Sequence, residues 1–571
     1  MSGTGHRVQF SCNGEQVEVD AAPGESLLSV LRERLAVVSP KDGCAPQGQC
    51  GCCTVLVDGE PRVACVTPAT RVAGRSVVTV EGLDPVTRDD LAARFVATGG
   101  SQCGFCTPGI LVRLVAAESK GKTRRVDLDR ALAAHLCRCT GWQSVYDVVG
   151  ATSTVLARDE RAAARRAELE GGASQVVGPR VPLGDGGFAD DGAPRDALVA
   201  VPLPPGSTAD AIEAAGGSWV VAESLLEARA LAAKVQGRRT TVDPESPLAA
   251  PAAAAGGVRL TTSWVEPAYL EPDASWCEPG GDPATPLANG GAFGGKLASP
   301  VGAAARELAD RTGRAVRVVY AREDVVRLGP KRPPIAATAV FDGTTVHTRG
   351  TVVGDAAPFV APIAWPYSLE ERGEWTSATA LGPPTASTLR AVGLAERAVL
   401  LEGALHVAGA DRTVLVCDDR VAAVMLDACV VAESGAVAGA RVVCDDAGRI
   451  ERVVVRVAAG DPLDAVVLRS YSIGAAHMAL GWVLTEGLAV DPDTGEVHDL
   501  TIRSFGILRA KDTPPIDVEL VDDPGEPLAR ASDAVFAAVA AATWNAVSDA
   551  DGERPETFPA RETRAARALR R

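Results

Sequence analysis

The stretch that decides the reading is Lys41-Asp-Gly-Cys-Ala-Pro-Gln-Gly-Gln-Cys-Gly-Cys-Cys-Thr54, with Cys65 following shortly after. It packs Cys44, Cys50, Cys52 and Cys53 into a short loop with three glycines, residues that let backbone N–H groups turn toward sulfur. Working outward, Arg7 to Ser11 and Gln16 to Val19 alternate around Asn13-Gly14, a hairpin signal. After Pro23-Gly24, Leu27, Leu31 and Leu35 recur four apart, which predicts an amphipathic helix from Ser26 to Leu35 capped at Ser26. Thr54 to Val57, Asp58-Gly59 and Arg62 to Val66 predict a second hairpin, with Ser76 to Val80 as a further strand.

A second group lies in Ser101-Gln-Cys-Gly-Phe-Cys-Thr-Pro-Gly109 and Leu136-Cys-Arg-Cys-Thr-Gly-Trp142. Thr107 is placed to cap a helix starting at Pro108, and Asp127 to cap the run Leu128 to Leu136, so that each cysteine pair sits at a helix terminus. A helix N-terminus at Cys103 and Cys106 favours anionic thiolates. Of fourteen cysteines, ten precede residue 140. A disulfide framework does not suit a long acidic chain, and a zinc ribbon would use two pairs at two-residue spacing. Cys44, Cys50, Cys53 and Cys65 instead follow the plant-type ferredoxin arrangement for a 2Fe-2S cluster, with a first gap of five residues rather than four and Cys52 as a spare thiol that could replace a neighbouring ligand. Cys103, Cys106, Cys137 and Cys139 supply a second four-cysteine site. Strands wrapped on one helix make the first unit a β-grasp ferredoxin; the second is a helical bundle.

The 571-residue length exceeds one core and gives a prior of about four domains at roughly 150 residues each. Hydrophobic residues at 46% and charged residues at 23% are globular values. With 73 acidic against 57 basic side chains and a net charge of -16, nucleic acid and anionic membrane are poor partners. The longest apolar run, Ala534 to Val547, is too short to span a bilayer, and residues 1–10 lack the pattern of a secretory signal, so a cytoplasmic location is expected.

Residues 157–180 read as a helix tail and linker, and Ala249 to Gly257 as another linker. Beyond them, strand-like runs (Leu198 to Val201, Trp219 to Ala222, Ala315 to Val319, Thr338 to Phe341, Ile450 to Val457, Ala465 to Arg469) alternate with helical ones such as Glu223 to Val235 and Val301 to Arg311, a mixed α/β pattern. Gly290-Gly-Ala-Phe-Gly-Gly-Lys296 approximates a Walker A loop, but Leu297 stands where the Mg²⁺-binding hydroxyl is needed, which excludes an NTPase. The six histidines show no metal-ligand spacing, and no nucleophile elbow announces a hydrolase.

Over residues 1 to about 155 the double cysteine motif resembles the iron–sulfur module of the xanthine oxidase family, the molybdenum hydroxylases. The resemblance implies a β-grasp 2Fe-2S domain at 1–82, a helical 2Fe-2S domain at 83–156, and a helical cluster next to molybdopterin with the β-grasp cluster toward FAD. Gln102 and Cys139 match positions that touch the pterin. Gly290, Gly291, Phe293, Gly294 and Gly295 look like the GGxFGGK loop of the family's molybdenum domain, Pro267 to Pro272 like its upstream signature, and Leu389-Arg-Ala-Val-Gly393 like its RGxG loop. Gly481 to Gly487 and Pro514 to Glu519 also resemble family segments, so that 181–571 is expected to be a reduced molybdopterin-binding-like region and the whole an α+β, multidomain chain.

Departures from the family accompany these matches. The family's base is a Glu in a Gly-x-Gly-Glu motif, and here Pro524-Gly-Glu-Pro527 offers only Glu526, which an exposed turn would equally explain. The segment between Glu271 and Gly290 is shortened, and segments that hold the pterin dinucleotide have no counterpart. The first reading is an electron-transfer subunit whose partners are a full-length molybdopterin subunit and an FAD subunit. The second is a self-sufficient hydroxylase using Glu526 as base, and the third a free-standing ferredoxin-like carrier.

Overall fold

In the computed structural model, Asn13-Gly14 and Asp58-Gly59 turn two hairpins, His6–Cys12 with Glu15–Ala21 and Thr54–Val57 with Glu60–Val63. The structure describes residues 5–44, 46–152, 158–204, 207, 217–234 and 240–569. Ser76–Val78 joins the hairpins, parallel to His6–Cys12 and antiparallel to Thr54–Val57, into a five-stranded sheet. Leu27, Leu28, Val30 and Leu31 are buried in the same core as Val8, Phe10 and Val55. Ser26 caps this helix as expected, its Oγ accepting from Ser29 N–H, but only Leu27–Ser29 is α-helical and Val30–Arg34 winds into a π-turn. Cys65 sits in a 3₁₀ turn, Ala64–Val66, just beyond the strand expected to carry it.

Two expected caps are also displaced. Cys106 rather than Thr107 is the N-cap of the helix Thr107–Glu118, and the Thr107 hydroxyl is hydrogen-bonded to that of Ser101 at 3.1 Å. Asp127 lies within the first turn of Arg125–Ala131, because the helix starts three residues earlier than its apolar pattern. The boundary expected at 156/157 and the helix end at Val235 lie outside the described residues.

The remainder holds three further sheets among the described residues. The helix Ala531–Asp551 packs against both Leu394–Val407 and Ala465–Leu484 and also lies on the strand Val437–Cys444. Ala465 to Arg469, expected as a strand, is the first turn of the 20-residue helix Ala465–Leu484, whose N-cap Asp464 accepts from Val467 N–H at 2.8 Å. A helix buried all round carries no 3.6-residue polar stripe, and its continuous apolar run is indistinguishable by pattern from a buried strand. The stretch expected as a helix tail and linker at 157–180 contains the helix Glu160–Gly171. Its Arg166 and Glu170 are buried and ion-paired with each other, Glu170 Oε2 accepts from Ser532 N–H at 2.8 Å, and Leu169 O accepts from Arg530 N–H at 3.0 Å. These two charges neutralise each other one turn apart and are packed inside. No helix among the described residues is long and apolar enough to cross a membrane.

Candidate metal centres

In the first group, the Cys44 sulfur accepts backbone N–H groups of Gln47 at 3.3 Å and Gln49 at 3.5 Å, and the Cys53 sulfur accepts that of Cys65 at 3.4 Å. Cys44 touches Cys50 and Cys65, and Cys65 touches Cys53, so that the four expected ligands form a chain of contacts. Hydrogen bonds from Cys50 and Cys65, together with the two backbone donors, hold the Cys44 thiol well below its ordinary range, while contact with Cys44 pushes Cys50 and Cys65 up. Cys52 is buried, touches the Cys50 sulfur and lies 3.9 Å from the Cys50 carbonyl oxygen.

In the second group, Cys103 and Cys106 lead into the helix Thr107–Glu118, while Cys137 and Cys139 lie on the loop before the helix Gln143–Gly150. The sulfurs of Cys103 and Cys139 are 3.5 Å apart, and Cys106 touches Cys137. Contact with Cys106 and a 3.0 Å hydrogen bond with the Thr140 hydroxyl lower the Cys137 thiol to about 7. Among the described residues no group of three or more His, Cys, Asp or Glu side chains has the arrangement of a single-ion site. Sulfurs strung out or paired in twos instead match a two-iron cluster, each iron taking two thiolates; such a cluster carries one electron at a time.

The two groups meet through backbone. Leu136 N–H donates to the Cys50 carbonyl at 2.9 Å, and the Thr54 hydroxyl lies 3.2 Å from His135 Nε2. Burial drives the His135 imidazole down to about 3, so it stays neutral. Gly51, at φ +72°, allows this approach, since a Cβ there would lie 2.6 Å from the His135 ring.

The residues expected at a pterin surround the second group. Gln102 Nε2 donates to the Cys139 carbonyl at 2.9 Å and to the Ser470 hydroxyl at 2.8 Å. Cys103, Cys139, Tyr471 and Gly290 line a cavity of only ≈ 20 Å³. That is room for about one water, whereas a small-molecule site takes roughly 300 Å³ or more. The chain's own atoms occupy the loop: a Cβ on Gly291 would lie 2.6 Å from Gly171 O, and one on Gly294 would lie 2.0 Å from Thr388 O. Lys296 is buried, its ammonium donating to Glu271 Oε1 at 2.6 Å and to Pro272 O at 2.9 Å. The glycines therefore admit backbone, not ligand, and the residues as arranged do not fit a pterin. Glu526 is exposed and lies outside the lining of this cavity.

Sequence reasoning missed Arg138, whose guanidinium bonds the Glu486 carboxylate in a bidentate pair, and Gly474, where a Cβ would lie 1.9 Å from Cys139 O. The Cys-Arg-Cys spacing marked the neighbours of Arg138 but not its partner.

A model of the 2Fe-2S iron-sulfur cluster binding domain matches residues 10–71, and one of the [2Fe-2S] binding domain matches residues 79–150. The chain is similar to the xanthine dehydrogenase iron-sulfur-binding subunit of Escherichia coli O157:H7, 35% identical over 146 residues, covering 25% of this chain and 91% of that protein. It is 37% identical over 140 residues to the alpha subunit of isoquinoline 1-oxidoreductase of Brevundimonas diminuta, covering 24% of this chain and 91% of that one. Across the whole chain, the fold is that of the aldehyde oxidoreductase of Desulfovibrio gigas, with a TM-score of 0.73, 15% identity, and coverage of 99% of this chain and 100% of that one. The matched domains and these relatives together define an oxidoreductase with two 2Fe-2S binding domains. The chain belongs to the xanthine oxidase family of molybdenum hydroxylases.

Proposed function

We propose that this chain is the electron-transfer component of a xanthine dehydrogenase-type complex. Cys103, Cys106, Cys137 and Cys139 hold the cluster that receives electrons from a molybdopterin centre on a partner subunit. Cys44, Cys50, Cys53 and Cys65 hold the cluster that passes them to a partner carrying FAD, and the hydrogen bond from Leu136 N–H to Cys50 O links the two sets. The observation that carries this reading over a self-sufficient hydroxylase is the filled Gly290 to Gly295 loop, with ≈ 20 Å³ beside Cys103 and Cys139. At the other end, Cys65 opens on a cavity of ≈ 400 Å³, and the neighbouring Val66 is 55% exposed, which suits delivery to a docked acceptor. The cysteines are unpaired, which suits a reducing cytoplasm.

Metal analysis of the full chain, purified without oxygen from a host that makes molybdopterin, tests this. The expected result is about four irons per chain, two distinct paramagnetic centres on reduction and no stoichiometric molybdenum. Stoichiometric molybdenum, with turnover lost in Glu526→Gln, would replace this reading with the self-sufficient one.

A further inference from the structure

Arg138 stands between Cys137 and Cys139, and its side chain is 4% exposed. Its Nη2 donates to Glu486 Oε2 at 2.8 Å, Nη1 donates to Oε1, and Nε donates to the Pro267 carbonyl at 3.0 Å. Glu486 is fully buried just beyond the end of the helix Ala465–Leu484, where its carboxylate folds back over Gly481: a Cβ there would lie 2.1 Å from Oε1. Glu266, itself ion-paired with Arg322, also acts on Glu486; His477, which burial keeps neutral, faces Arg138; and Arg332, ion-paired with Glu396, and Arg390 line the same pocket as the pair. The loop between two candidate ligands thus carries a permanent cation cancelled by one carboxylate 348 positions away.

A buried pair adds little net stability compared with an apolar replacement, so its placement calls for another account. We propose that Arg138 and Glu486 act together as positioning residues that set the reduction potential of the centre held by Cys103, Cys106, Cys137 and Cys139. The inference rests on the electron-transfer reading. Uptake of one electron adds one negative charge to a site of four thiolates, and that added charge is stabilised by a nearby cation and opposed by a nearby anion. Both side chains are buried, so each charge is screened less than at the surface, yet its influence falls with distance and is weaker at the Cys44 group. Glu486 keeps the Arg138 cation from raising the potential of the centre.

Potentiometric titration of the holoprotein, followed by paramagnetic resonance of both centres, tests this in the wild type, Glu486→Gln, Arg138→Gln and the double variant. Glu486→Gln should shift the midpoint of the helical-domain centre upward, because Arg138 is left uncompensated. Arg138→Gln should shift it downward when the titration is run at a pH high enough to keep the unpaired, buried Glu486 ionised, the double variant should return close to wild type, and the other centre should stay in place as an internal reference. Opposite shifts that cancel are not produced by loss of packing. Midpoints that do not move, or that move in the same sense in both single variants, overturn the proposal. So does loss of this centre in the single variants, which would assign the pair to assembly. A wild type lacking both signals overturns the electron-transfer reading itself, a separate outcome.

Discussion

Replacing Cys106 by serine removes one of the two paramagnetic centres of the reduced protein and leaves the other at full intensity. Cys106 is buried, touches Cys137 and is the N-cap of the helix Thr107–Glu118, so its sulfur is fixed in direction by secondary structure on one side and by the opposing loop on the other. A serine oxygen is a hard and weakly acidic donor that does not replace a soft thiolate on iron. Iron content should fall from about four per chain to about two, since each four-cysteine site holds two irons. The Cys44 group is expected to survive because its sulfurs are contacted by one another and by the Gln47, Gln49 and Cys65 amides, all within its own module. Cys44→Ser should give the mirror result. Persistence of both signals in Cys106→Ser would mean that this cysteine is not a ligand.

The parts of this molecule that were legible from sequence are those whose physics is local. Asn13-Gly14 and Asp58-Gly59 write hairpins into two adjacent residues, and cysteine spacing fixes which sulfurs share a loop. The parts that were not legible depend on partners far along the chain. Ala465 to Arg469 looked like a strand because the helix it begins is buried on every side from Ser470 to Leu484, which leaves no polar stripe to extend its period. Glu160–Gly171 read as a helix tail running into a linker, because nothing near it in sequence announces that Arg530 and Ser532 cover its end. The Gly290 to Gly295 loop presents the same difficulty in sharper form. Glycines that allow a ligand to approach and glycines that allow backbone to approach are the same residues, and only Gly171 and Thr388 at the loop decide between them.

Gly474 puts the dependence of the helical-domain centre on the large C-terminal region to its strongest test. It lies in the middle of the helix Ala465–Leu484, where intrinsic propensity favours alanine over glycine by about 1 kcal/mol. Packing opposes this: a Cβ at 474 would lie 1.9 Å from the Cys139 carbonyl oxygen, and Gly141 on the same loop has Ile473 O at 2.7 Å from its own Cβ position. Both surfaces are backbone, so no flexible side chain can move aside, and overpacking of this kind costs about 1–3 kcal/mol or more. Steric cost therefore exceeds propensity, and Gly474→Ala should lower the melting temperature and displace the Cys137–Cys139 loop. Loss or broadening of the helical-domain signal, with the other centre intact, is the expected spectrum. Gly150→Ala is the matched control. It ends the helix Gln143–Gly150, and nothing lies within 4 Å of its Cβ position, so that substitution should leave both signals and the melting temperature unchanged or slightly raised. Two intact signals and an unchanged melting temperature in Gly474→Ala would mean that the helix does not seat the cysteine loop, and that the C-terminal region is carried beside the iron–sulfur module without supporting it.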